Sequence, residues 1–175
     1  MGQEYLVIYE EEIGEIERIL NRLVKNSHAK CALLVDKDGH LITRLGFTQS
    51  LDTTALAALL AGSFASTKEI ARLVGEPEFS VLFHQGKKDH IHVCLAGERS
   101  ILAVIFDDRT TLGLVRLYAK EISEELATVL ASATKKKRDK GTQMDSDFSA
   151  SLESKLDDIF SEGEPKPTKP SNLNG

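Results

Sequence analysis

The chain carries only two cysteines in 175 residues, and they form no spaced pair of the kind that binds zinc. Cys31 and Cys94 each sit in an apolar, strand-like run, so both read as buried, reduced thiols in a reducing compartment. No apolar run approaches the eighteen or so residues needed to cross a bilayer, which excludes a membrane-inserted helix. The first residues lack a basic segment and a long apolar segment, so no secretory signal is expected and the cytoplasm is the expected location. Leu6 stands where a myristoylation signal requires Ser or Thr. Positive charge is also lacking: 22 Lys and Arg face 27 Asp and Glu, a net charge of −5. A surface of that sign excludes nucleic acid as the main partner, because phosphate neutralisation needs a basic face. There is no glycine-rich phosphate loop with its lysine and no nucleophile elbow. No catalytic residue and no cofactor is therefore expected.

What is present is an ordinary globular composition, 41% hydrophobic and 28% charged. It suits one domain with residues left over for a tail. Apolar residues recur at three- and four-residue steps from Tyr9 to Asn26, with acidic residues in the first turn and Lys25 in the last, as a helix dipole favours. Cys31–Val35 and His40–Arg44 flank the turn residues 36–39 and read as a hairpin. A second helix is predicted over Thr53–Val74, capped by Asp52 and stopped at Gly75. Phe79–Gln85, His90–Ala96 and Ser100–Phe106 follow as a three-stranded meander, with Gln85 opposite His90 and His84 opposite Ile91. A third helix runs from Thr110 or Thr111 to Ala133 on a stripe of Leu114, Leu117, Ile122, Leu126 and Leu130. The order α-ββ-α-βββ-α predicts an α+β domain (residues 1–133) with five mainly antiparallel strands flanked by helices. Residues 134–147, which open on a basic run at 135–140, read as a flexible linker. Residues 148–160 read as an amphipathic helix, and 161–175 as a disordered, proline-bearing tail.

Three constellations bear on function. His90, His92 and Cys94 share one strand face, but three ligands strung along a strand cannot close a tetrahedral site, so no metal is expected. On the second helix, 100° steps gather Leu56, Leu59, Leu60, Ile70 and Val74 on the side expected to pack on the sheet. Ala55, Ala58, Ala61, Gly62 and Ala65 gather opposite, with Lys68, Glu69 and Arg72 further on. Small residues let another backbone approach closely, so this face is read as a docking surface for a partner. Phe79, Val81 and Phe83 alternate along a strand that is too apolar to remain an unpaired edge, which points to self-pairing. The basic run 135–140 is read as solvated rather than membrane-bound, since acidic residues follow it and no aromatic is interleaved.

These residues resemble the roadblock/LC7 family of small homodimeric adaptors. Within it they are similar to the bacterial polarity regulators that act on the Ras-like GTPase MglA. The matching stretches are Val7–Glu12, Leu33–Gly39, Asp52–Thr54, Ala61-Gly62, Leu156–Glu162 and, most specifically, Ile105–Arg116. The resemblance implies a homodimer pairing through the second helix and the strand Phe79–Gln85. It implies that two copies bind one MglA-type GTPase and speed hydrolysis by repositioning the GTPase's own residues, without an arginine finger. It further implies a tail helix touching the GTPase through Phe148, Leu152, Leu156, Ile159 and Phe160, a role in polarity and gliding motility, and a place near a cell pole. Among Arg44, Arg72, Arg99, Arg109 and Arg116, none lies on a flexible, glycine-flanked loop. Arg109 is read as an orienting residue. The other readings are a passive scaffold of the same fold, and an enzyme or sensor of the profilin-like or PAS-like kind.

Overall fold

In the computed structural model the backbone is described for residues 10–161 and the side chains for residues 10–135 and 150–156. Three acidic residues open helix α1 (Glu10–Ser27) and Lys25 closes it, so both ends suit the helix dipole. Its buried stripe of Ile16, Ile19, Leu20 and Leu23 is the one its periodicity predicts. The Ser27 hydroxyl donates to Leu23 O at 2.7 Å, and the chain leaves the helix through His28 at a φ of +54°.

Five strands follow in two groups: β1 (Cys31–Asp36) and β2 (Leu41–Gly46), then β3 (Val81–Gln85), β4 (His90–Leu95) and β5 (Ser100–Phe106). They form one sheet in the order β2-β1-β5-β4-β3, with every pairing antiparallel. The predicted register of the β3–β4 hairpin, Gln85 opposite His90 and His84 opposite Ile91, is the observed one. The β1–β2 turn is fixed by Asp36, whose Oδ1 accepts from the amides of Asp38 at 3.0 Å and His40 at 2.8 Å. β1 and β5 are central and covered on both sides, which is why they read as unbroken apolar runs.

Alternation along the strands splits the core in two. Ala32, Leu34, Cys94, Leu102, Val104 and Phe106 pack with α1 and the first turns of α3. Cys31, Leu33, Val35, Val93, Ile101 and Ala103 pack with helix α2 (Thr53–Val74). The two cysteines thus lie on opposite faces of the sheet, both reduced and both buried.

Helix α3 (Leu112–Ser161) starts behind Thr111, whose hydroxyl accepts from Leu114 N at 3.3 Å. Its stripe differs from the expected one. Val115, Ala119, Ile122, Leu126, Val129, Leu130 and Ala133 are buried, while Leu114 is half-buried and Leu117 is 63% exposed. The small Ala119 and Ala133 complete a row in steps of four and three that a search for leucines passes over. The expected end at Ala133 also differs, because the helix continues through 134–147 to Ser161. That stretch holds no proline and one glycine, Gly141, among lysine, arginine, glutamine and methionine, which favour helix. The chain falls into two compact units, residues 1–135 and 136–175. Among the described residues no helix is long and apolar enough to cross a membrane.

Candidate interaction surface

Helix α2 is held at both ends. Asp52 accepts from Ala55 N at 3.0 Å, and Gly75 at a φ of +80° lets its own amide return to Arg72 O and that of Glu76 to Ala71 O. Its sheet-facing residues are Thr53, Ala57, Leu60, Ala61, Phe64 and Ala71. This corrects the expected division of its faces. Of the five residues expected on the sheet, only Leu60 is buried and Leu56 half-buried. Leu59 is 69% exposed, Ile70 51% and Val74 63%, and Leu73 beside them is 77% exposed. Of the five small residues expected opposite, Ala61 is buried, whereas Ala55, Ala58, Gly62 and Ala65 are exposed, as are Lys68, Glu69 and Arg72.

The physical reason lies in the β1–β2 turn. Gly39 has a φ of +95°, and a Cβ placed there would sit 3.1 Å from Ala58 Cα and 3.8 Å from Ala61 Cβ. Part of the small-residue stripe therefore receives the chain's own hairpin. Nothing approaches Gly62, where an added Cβ would have no neighbour within 4 Å. The close approach rotates α2 so that Leu59 and Ile70 emerge on the flank away from the hairpin, roughly 100–180° around the helix from Ala58 and Ala61 at 100° per residue. Leu59, Ile70, Leu73 and Val74 thus form one exposed aliphatic flank. Reading leucine on a helix as core overlooks their exposure. The available signal is the breadth of the apolar arc, wider than one sheet face accepts.

β3 is an edge strand whose outer side pairs with nothing among the described residues. The expected strand begins at Phe79, whereas the observed one begins at Val81, with half-buried Phe79 just before it. Val81 is 41% exposed and Phe83 39%, and Phe83 stacks on Phe106 with ring centroids 6.2 Å apart. Leu82, which breaks the apolar alternation, points to the other face and joins Ile91 and Leu95 in the core beneath α2. Those three remain only partly buried, because α2 lies over β1 and β2. The exposed flank of α2, the strip Leu82–Ile91–Leu95 and the free edge of β3 thus share one side of the sheet.

The charged residues are mostly tied locally. Arg109 Nε donates to both carboxylate oxygens of Asp107, at 2.8 and 3.1 Å, and that contact holds the Asp107 carboxyl below its usual pKa. Arg44 donates to Thr53 Oγ1, Arg72 pairs with Glu69 at 3.0 Å and Arg99 with Asp38 at 3.4 Å. Arg116 is exposed. His92 and Cys94 lie buried on the α3 side. Burial, then the charge of Arg116, lowers the His92 pKa to about 4, and burial raises Cys94 to about 12. Among the described residues no three His, Cys, Asp or Glu side chains gather to hold a metal ion. Leu152 and Leu156 are exposed on the last turns of α3. Phe148, Ile159 and Phe160 lie outside the residues whose side chains are described.

Comparison with known proteins agrees with this architecture. Residues 15–106 match the Roadblock/LC7 domain. The chain is 48% identical to Myxococcus xanthus MglB, over 73% of this chain and 96% of that one, with a TM-score of 0.69. It is 30% identical to the gliding protein MglB of Thermus thermophilus, over 75% and 99% of the two chains, with a TM-score of 0.70. An MglB solved in a tetrameric arrangement is likewise 30% identical over 75% and 99%, with a TM-score of 0.71.

Proposed function

The chain belongs to the Roadblock/LC7 family, and from that premise we propose that it is a homodimeric activator of an MglA-type Ras-like GTPase. The observation that carries this reading is the 48% identity to an MglB across nearly all of that protein. The exposed apolar flank of α2 and the open edge of β3 support self-pairing: Leu59, Ile70, Leu73 and Val74 need a cover, and Val81 and Phe83 border an edge that needs a strand. Burying four such aliphatic side chains contributes roughly 6–12 kcal/mol at about 1.5–3 each, before the cost of association. An MglB in a tetrameric arrangement supports self-association from the side of a relative.

In this reading two copies of the chain dock one GTPase through the part of the small-residue face that the hairpin leaves open: Ala55, Gly62 and Ala65, continuing to Lys68, Glu69 and Arg72. Docking repositions the GTPase's own catalytic residues. No arginine finger is supplied. Arg109 is committed to Asp107, two residues away, and orients its loop. The amphipathic segment 148–160 makes a second contact that bears on nucleotide exchange, and residues 134–147 give it reach. The activity serves polarity and gliding motility from a cytoplasmic site near a pole.

GTP turnover by an MglA-type GTPase, with and without the chain, tests this reading. Stimulation is expected, Ala65→Arg abolishes it by steric exclusion, and Arg109→Ala loses far less than the 10³–10⁵ of an inserted finger. Truncation after Lys140 keeps the fold and weakens binding. A chain that binds the GTPase and leaves turnover unchanged is a scaffold, the alternative reading, and a thousandfold loss in Arg109→Ala with binding intact restores the finger.

A further inference from the structure

On the face of the sheet that carries α1 and α3, the cover stops at β4. Leu102, Val104 and Phe106 of β5 are buried, as are His92 and Cys94 of β4. The next row out, Val81 and Phe83 of β3, lies opposite Cys94 and His92 in register, yet is 41% and 39% exposed. We infer that in the dimer proposed above this row is the floor of a slot one helix wide, which takes a single acidic amphipathic helix from a partner protein. The inference rests on the pairing of β3 with β3 of a second copy.

The width comes from counting strands. α3 lies over β4 and β5: Ser123 meets the Cys94 thiol, a Cβ placed on Gly97 would lie 3.4 Å from Ala127 Cα, and Val115, Ala119 and Leu126 share the core of the β5 row. From the line between β4 and β5 in one protomer to the same line in its partner is about four strand spacings, roughly 19 Å at about 4.8 Å each. Packed helices stand about 8–10 Å apart. The two copies of α3 therefore leave room for one helix between them and not for two. That helix completes a layer that each protomer leaves short at β3.

The chemistry of the slot says what kind of helix. From Arg116, steps of four, three and four reach Lys120, Ser123 and Ala127, which share one flank of α3 at 100° per residue. This flank is the one beside β3, since the charge of Arg116 bears on the buried His92 and Ser123 meets Cys94. Arg116 and Lys120 are exposed, while Ser123 and Ala127 are half-buried and small enough for another helix to pack closely. The acidic residues of these turns lie elsewhere. Glu121 and Glu125 are on the opposite flank, where Glu125 meets Arg22 of α1, and Glu124 is on the outer side. An apolar floor between two walls that each carry an arginine and a lysine is the complement of a helix with one apolar face and carboxylates on both flanks. The slot faces away from α2, so its occupant does not compete with docking there.

The test titrates the full chain into a fluorescein-labelled helical peptide of about 18 residues, about 27 Å long, and follows anisotropy. The peptide carries leucines at three- and four-residue steps and glutamates on both flanks, and a peptide with lysine for every glutamate is the control. Sedimentation velocity reads the mass of the chain in the same buffer. The expected result is saturation at one peptide per two chains, dissociation at ~10 μM, and no binding of the lysine peptide. Arg116→Glu and Lys120→Glu should each weaken binding about tenfold while the chain stays a dimer. Both residues are exposed, so either variant folds. Lys37→Glu, in the distant β1–β2 turn, should bind as the wild type does. A dimer that fails to saturate, takes one peptide per chain, accepts both peptides alike or binds unchanged in both variants overturns the inference and leaves the pairing of β3 standing. A chain that sediments as a monomer overturns both.

Discussion

On one face of the sheet α1 and α3 lie together, and the residues beneath them, from Ala32 to Phe106, are closed from solvent. On the other face, among the described residues, α2 lies alone over β1 and β2. There Leu82, Ile91 and Leu95 are only partly covered, and Leu59, Ile70, Leu73 and Val74 stand exposed beside them. A face finished by its own helices carries stability. A face left half-finished is the one proposed to carry association. The same residue type therefore has different value on the two sides, and substitution separates them.

The largest effect is expected on the closed face. Leu102 is fully buried under α1 and α3, so Leu102→Ala should cost about 2–5 kcal/mol in urea unfolding, transfer and cavity together. A loss under about 1 kcal/mol would mean that this side is not the packed one.

Next in size is a pH effect from the same face. His92 is buried and held neutral, its pKa lowered to about 4 first by burial and then by Arg116. Between about pH 6.5 and 4 the unfolded chain takes up a proton that the folded chain does not. The stability contributed by neutral His92 is therefore complete above about 6.5 and is lost as pH falls toward 4, by about 3 kcal/mol. Unfolding of wild type and His92→Leu across that window should show the slope shrinking in the variant, and equal slopes would count against the burial of His92.

The smallest stability effect belongs to the open face. With subunits separated by dilution, Leu73→Ser should change unfolding by no more than about 0.5 kcal/mol, since the side chain is 77% exposed. A loss as large as that of Leu102→Ala would erase the distinction between the faces.

The same contrast explains what can be read in advance. The stripe of α1, the cap at Asp52, the β3–β4 register and the strand order of the meander all follow from periods and turns that serve one purpose each, and all are found. The two sides of α2 are not legible in this way. Leu59, Ile70 and Leu73 stand on an outer surface, while Ala57 and Ala61 lie in the core beside Leu60, Ala61 close to the hairpin turn at Gly39. Hydrophobicity alone ranks leucine as inside and alanine as indifferent, and here the order is reversed by the room available. Leu82 is the same lesson on a strand, since it belongs to the sheet face opposite Val81 and Phe83. The stripe of α3 departs from expectation for a related reason: Ala119 and Ala133 are core positions, and Leu117 is not.

Sedimentation equilibrium of the wild-type chain beside a Leu59→Asp, Leu73→Asp double variant tests most directly whether the open face exists for association. The expected result at micromolar concentration is a wild-type mass twice the 19.2 kDa of one chain. The variant should sediment at the mass of one chain with an unchanged circular dichroism spectrum. A wild-type chain that sediments as a monomer, or a folded double variant that still sediments as a dimer, would contradict it.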